Sequence, residues 1–335
     1  MLRYLRSLLG NGGESARHPE SLVKDLIERA VDATDPWLRA VPGYRKKLKP
    51  AVVRSLDHVT SLMERLPAPI PLCSCCFDHD PFLKALFASK AEMRTVLGND
   101  RSLALFRKGR ETVPQRIIAL LIMEKKESAI FGVEMTGDVV ARDVLQETVS
   151  FVAHRFVDPA TDEEKTRWLL RLRAFDRLIS IALKRITSMK VERKDLEGRR
   201  NMLQGKLDLL QQGGWGFEGN GADGNRDMPG LEEEIGRINS RLSGLGGNDH
   251  MLECYLDALT DVLGHPEDHL WGKKETVVLD SMGIKRSQPS SNAHELTFAE
   301  LENSTGRRLI IALVAIAGDE LPFSSNQGTA PGTPQ

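Results

Sequence analysis

Thirteen positions from Trp168 to Leu210 follow an unbroken alternation of four and three residues. They are Trp168, Leu172, Phe175, Ile179, Ala182, Ile186, Met189, Arg193, Leu196, Arg200, Leu203, Leu207 and Leu210. All but Arg193 and Arg200 are apolar, which makes the row the a/d seam of a coiled coil sustained over about six heptads. No proline interrupts it, and Gly198 and Gly205 are its only glycines. The spacing predicts a helix of about 50 residues, or about 75 Å at 1.5 Å per residue. An ordinary helix in a compact domain has roughly 10–14 residues.

The same chain carries a complementary seam. After a glycine-rich stretch at 213–230 the spacing resumes at Leu231, Ile235, Ile238, Leu242 and Leu245. It passes through Asp249 and continues at Leu252, Leu256, Leu259 and Leu263, with Gly246-Gly247 loosening the helix between. The expectation is an antiparallel coiled-coil hairpin over 161–264, with its tip at 213–230. Arg193 and Arg200 are charged seam residues, which weaken packing but set register or mark where a second chain docks. Their stems can lie along the seam with the heads in water. Arg193, Leu196, Arg200, Leu203 and Leu242 are therefore the candidate partner-binding residues, for a protein partner or a second copy.

Around this hairpin the pattern reads as mainly α with a small antiparallel β portion, an α+β class. Residues 1–19 read as a flexible N-terminus and 20–127 as a helical region. That region includes a helix through Ile117, Ile118, Leu120, Leu121 and Met123, and another opened by Pro50 in its first turn. Ser89-x-x-Glu92 has the form of a capping box. Residues 128–160 and 274–321 supply a small β platform, with Asn303-Ser-Thr-Gly306 as a hairpin loop. Within it Val139–Val152 fits a strand or a helix. The serine-, glycine- and proline-rich stretch 322–335 reads as a disordered tail.

The net charge of -1 and pI of about 6.7 do not mark a nucleic-acid binder. The longest apolar runs, Ile117–Met123 and Leu309–Gly318, fall far short of the roughly 20 residues of a membrane span. The first residues lack the apolar core and cleavage site of a signal peptide. The expected compartment is the cytoplasm. Three of the four cysteines crowd into Cys73-Ser-Cys75-Cys76, which agrees with a reducing environment and with no ordinary disulfide framework.

That cluster is also the first place to look for chemistry. Cys73, Cys76 and His79 have metal-ligand spacing, and His250 and Cys254, four apart on one helix face, offer a second pair. The second Cys-x-x-Cys of a zinc ribbon is absent, so the cluster is expected to be structural and metal-free. His265-Pro-Glu-Asp-His269 lacks the glutamate placement of a metalloprotease helix and reads as a surface turn. Gly214-x-Gly216-x-x-Gly219 follows a helix rather than a strand, which removes the dinucleotide reading. Asp223, Asn225, Asp227 and Glu234 have calcium-loop spacing, but Met228 stands where that loop needs glycine. The cations Arg39, Arg45, Lys46, Lys47, Lys49 and Arg54 form a run without an acid, with Tyr44 among them. Neither a nucleophile elbow, a phosphate-binding loop nor a cofactor motif is present.

The sequence thus points to a non-catalytic interaction or scaffold protein working through its coiled coil, without a cofactor. The alternative is a nucleic-acid-associated or regulatory factor using the basic segment 39–54.

Overall fold

The computed structural model describes residues 18–108, 110, 112, 114–136, 139–212, 228–246 and 250–321. The N-terminal stretch to residue 17, the expected hairpin tip from 213 to 227, Asp249 and the stretch from 322 lie outside the described residues. The chain forms two compact units, one from Met1–Val59 and Ala174–His269, the other from Thr60–Arg173 and Leu270–Gln335. It is of mixed α+β class, and no described helix is long and apolar enough to cross a membrane.

The helical unit contains α1 (Glu20–Thr34), a 3-10 turn at Pro36–Ala40 and most of α2 (Tyr44–Glu64). It also holds α6 (Glu163–Gln212) from Ala174 onward, α7 (Met228–Gly244) and α8 (Met251–Gly264). The expected apolar face of α1, from Leu22 to Val31, is buried. Pro50 lies inside α2 rather than in its first turn. The helix tolerates it because Pro50 and Lys46, whose carbonyl loses its donor, are both exposed and water can replace the bond. The proximal seam residues Phe175, Ile179, Ala182 and Ile186 are buried, as are Leu256, Leu259 and Leu263. Further out, Leu203 and Leu207 of α6 share one apolar cluster with Leu231, Ile238 and Leu242 of α7.

The sheet unit contains β1 (Ile70–Leu72), α3 (Pro81–Leu86), α4 (Lys90–Asn99), α5 (Arg101–Arg107), β2 (Arg116–Thr136) and β3 (Val139–Ala160). After the helical segments come β4 (Leu270–Asp280), β5 (Ala293–Asn303) and β6 (Arg308–Ala317). The strand order is β3-β2-β6-β5-β4, antiparallel throughout except that β1 pairs parallel with β6. β5 covers Arg308–Ile311 of one β6 edge, and β1 covers Val314–Ile316.

Two sequence expectations change here, and one open alternative is resolved. The run Ile117–Met123 is strand, not helix. It is apolar without a period because β2 lies between β3 and β6 and is covered on both faces. The ambiguous stretch Val139–Val152 is strand. The sheet also draws on β1 and on residues from 116, so it is larger than the small platform read from the sequence.

Ile117, Ala119, Leu121 and Met123 pack with Leu83, Leu86, Met93, Leu97 and Leu103 of the short helices. On the opposite side Thr166 Oγ donates to the Ile118 carbonyl at 3.1 Å. Arg167 there donates to the Met63 and Leu66 carbonyls, tying the start of α6 to the end of α2. Ser89 accepts from the Glu92 amide at 3.0 Å, and Glu92 accepts from Ala88 at 2.7 Å. The expected capping box is therefore present, displaced by one residue on its return bond.

The sheet curls until its edges approach. Ile284 bridges Thr148 of β3, Lys285 bridges Leu279 of β4, and the Val149 amide donates to the Gly283 carbonyl at 2.8 Å. Phe151 of β3 and Phe298 of β5 touch across the interior, 4.8 Å between ring centres. β3 reaches this position through three bulges, and at each a non-glycine residue adopts positive φ: Asp143, Ala153 and Asp158.

Gly283, at φ +75°, has no room for a side chain, since a Cβ would sit 2.7 Å from the Val149 carbonyl oxygen. Gly283→Ala is expected to destabilise the sheet unit by about 1–3 kcal/mol. Ala153→Gly, which relieves a left-handed residue, is expected to stabilise it by up to about 1 kcal/mol. Urea unfolding midpoints check both, and a wild-type midpoint for Gly283→Ala would contradict the close approach.

Candidate functional site

The partner-binding residues expected from the seam are largely inward. Arg193 is buried, its Nε donating to Glu197 at 2.8 Å and its Nη1 to the Gly246 carbonyl. Its head is therefore held by the chain, not by water. Leu203 and Leu242 are buried in the α6–α7 cluster, and Leu196 packs against it. Arg200 is half-buried and reaches Asn201 at 3.2 Å. Glu192 pairs with Arg241 at 2.7 Å, and Arg199 pairs with Glu234. Arg193, Leu196, Arg200, Leu203 and Leu242 thus all have contacts within their own chain.

The opposite face of α6 is different. Val191, Met202 and Leu209 occupy the c and f positions of the same heptads and are 54%, 67% and 71% exposed. Gly198 and Gly205 lie on the same row, with open space where a side chain would stand. Met202 and Leu209, seven residues apart, are the row's signal in the sequence, which lacks the unbroken spacing of the seam.

In the helical unit Trp37, 74% exposed, lines an open groove of about 540 Å³ with Lys190, Lys194, Leu252 and Tyr255. Buried Asp35 organises it, accepting from the Trp37 amide at 3.0 Å and from Lys190 Nζ at 2.6 Å.

Five of the six cations of the basic segment pair with carboxylates of the same unit. Arg39 pairs with Glu28 and Asp32, Arg45 with Glu28, Lys47 with Asp257, Lys49 with Glu20 and Arg54 with Glu267. The Tyr44 hydroxyl also donates to Glu28, at 2.9 Å. Burial pushes the Glu28 carboxyl up, but the hydrogen bonds from Arg45, Tyr44 and Arg39 outweigh it and hold it below the ordinary carboxylate range.

The cysteine loop lies between β1 and α3. Cys73 and Cys76 are paired as a disulfide, contrary to the expectation from their crowding, and Cys75 is an exposed thiol. A loop closed by three residues lets Cys-x-x-Cys sulfurs meet where longer frameworks are absent. His79 is exposed. His250 and Cys254 belong to the helical unit, where His250 contacts Glu253 at 3.1 Å. His265 and His269 flank a 3-10 turn at Pro266–Asp268, as the turn reading expects. Among the described residues, one group of three or more ligand side chains comes within reach of a common ion: Cys73, Cys75 and Cys76. The glycine motif at 214–219 and the calcium-spaced Asp223, Asn225 and Asp227 lie outside the described residues.

No protein-family model matches the chain, and no curated protein or solved structure proves similar to it.

Because Glu28 titrates low in the folded state, the stabilisation it provides is present above its unfolded pKa and is lost as pH falls through the folded value. Glu28→Gln should therefore lower the unfolding midpoint at about pH 7, and the gap to the wild type should be narrower at about pH 3, below the unfolded carboxylate range. Urea titrations at the two pH values measure this, and a gap independent of pH would sink the ion-pair account.

Proposed function

We propose that the protein is a non-catalytic interaction or scaffold protein, and that α6 and α7 form an antiparallel coiled-coil hairpin between the β segments. The pairs Glu192–Arg241 and Arg199–Glu234 advance in opposite chain directions, which supports the antiparallel reading. The inward seam holds the hairpin together. The partner is taken by the outward row Val191, Met202 and Leu209, whose exposure is the observation that carries the proposal.

The physical argument is one of hydration. Large apolar side chains left in water on one side of a helix are costly, and grouped exposure of this kind marks contact sites. The glycines on the same row favour this use. Glycine in a helix interior is less favourable than alanine by about 1 kcal/mol, and here it lets another backbone come close. The groove at Trp37 adds an exposed aromatic of the kind that anchors protein interfaces. A nucleic-acid role for 39–54 finds less support, because all its cations but Lys46 already face carboxylates of the same unit.

Two measurements test this reading. Glu192→Cys/Arg241→Cys should form a disulfide within one chain, seen as a monomer on a non-reducing gel; cross-links found only between chains would replace the hairpin with an intermolecular pair. In pull-downs from cell extract, Met202→Asp/Leu209→Asp should keep the wild-type helical signal and lose the captured protein. Capture equal to that of the wild type would remove the outward row from the proposal.

A further inference from the structure

The loop from Cys73 to His79 is held at points that alternate with its cysteines. Leu72 and Phe77 enter the core of the sheet unit, and Ser74 is buried between Cys73 and Cys75. The Ser74 amide donates to one oxygen of Glu320 at 2.5 Å and its hydroxyl to the other at 2.6 Å. Arg94 Nε donates to the same hydroxyl at 2.9 Å. The Cys76 amide turns back on Cys73, donating to its carbonyl and its sulfur, each at 3.2 Å. The amides of His79 and Asp80 both donate to the Cys76 carbonyl at 3.0 Å. The backbone is thereby fixed with three sulfurs facing one another, all within 4.8 Å.

We propose that the reduced loop is a three-thiolate metal site, with Cys73, Cys75 and Cys76 binding Zn(II) and a fourth position open to exchangeable solvent. Sulfurs sharing a tetrahedral zinc at about 2.3 Å stand about 3.8 Å apart. Cys75 and Cys76 are already 3.7 Å apart. Cys73 must move away from both, by side-chain rotation once its bond to Cys76 is reduced. A dithiol does this by giving two electrons and two protons to the pair while it becomes a disulfide itself. Zinc then displaces one proton from each of the three thiols, leaving a centre of net charge -1.

Three features favour this use over a purely structural one. A cysteine kept as a small core side chain is buried, whereas Cys75 is exposed. Thiolates select zinc and other soft cations over hard ones. The ring of contacts at Ser74, Phe77 and Glu320 fixes the loop without using any sulfur, so the thiols are available to a ligand. The set differs from the one read off the sequence: Cys75 joins it, while His79, His250 and Cys254 stand outside.

The test uses full-length protein, reduced and kept free of oxygen. Dialysis against buffered Zn(II) with elemental analysis should leave about one zinc per chain. Co(II) should give the thiolate-to-metal charge-transfer absorption of a sulfur-rich tetrahedral site. Cys75→Ser, at an exposed position outside the core, should keep the wild-type circular dichroism and weaken zinc affinity by at least about tenfold, the smallest loss seen for outer-shell changes. Cys254→Ser should change nothing. Reduced protein that retains no zinc overturns the proposal. So does a folded Cys75→Ser variant with wild-type affinity, which would leave at most a two-cysteine site.

Discussion

The run from Leu309 to Ile316 has no polar face. A strand of that kind cannot border water on either side, so its neighbours must cover it completely. The architecture of the sheet unit follows from that demand. β2 takes one edge of β6, while β5 and β1 divide the other. The short helices α3 to α5 take one face, and Ile118, Leu120, Leu313 and Ala315 are buried on the other, where the start of α6 is tied to the sheet by Thr166. The cysteine loop inherits its position from the same arrangement. Leu72 is the last residue of the strand that completes β6, and Glu320, which clamps Ser74, lies in the turn that follows β6.

The helical unit is organised by a different rule. Its contacts repeat along the helices, and charged residues close them at the margins: Arg29 with Asp176, Lys190 with Asp35, and Arg193 with Glu197. An exposed pair such as Arg29–Asp176 contributes little stability singly, about 0–1 kcal/mol. The larger effect of such pairs is on which surface is left over. Arg39, Arg45, Lys47, Lys49 and Arg54 are engaged by Glu20, Glu28, Asp32, Asp257 and Glu267, and the seam of α6 packs with α7, so the outward row of α6 is one of the apolar surfaces left exposed.

What could be read from the sequence was what local periodicity encodes. The four-three spacing gave α6, the Ser89 cap gave α4, and Asn303 with Gly306 gave the β5–β6 turn. In that turn Asn303 Oδ1 accepts from Thr305 and Arg307, and Gly306 takes φ +76°. Ile117–Met123 was misread because a strand covered on both faces shows no alternation. β3 resisted for a related reason: Val149 and Phe151 are buried in one phase and Phe156 in the other, because the bulge at Ala153 shifts the alternation by one residue. The acids that neutralise 39–54 come from as far along the chain as Asp257 and Glu267, which no local window shows. At the cysteines, spacing singled out Cys73, Cys76 and His79 as candidates, with His250 and Cys254 as a second pair. The inclusion of Cys75 depends on how Ser74 is held.

The curl of the sheet also bears on how this chain avoids its own kind. Runs such as Ile117–Met123 and Leu309–Ile316 combine β-propensity with absence of charge, the composition of segments that stack into fibrils. Both are interior strands here. The strands left at the ends of the order are β3, interrupted by three bulges, and β4, which carries Lys273, Lys274 and Glu275. Residues 283–285 stitch the two together where they approach, so that part of each edge is already hydrogen-bonded. An incoming strand would meet charge, broken register or an occupied ladder. Colloidal safety in this protein is thus a property of its edges, and it permits an interior sticky enough to fold around.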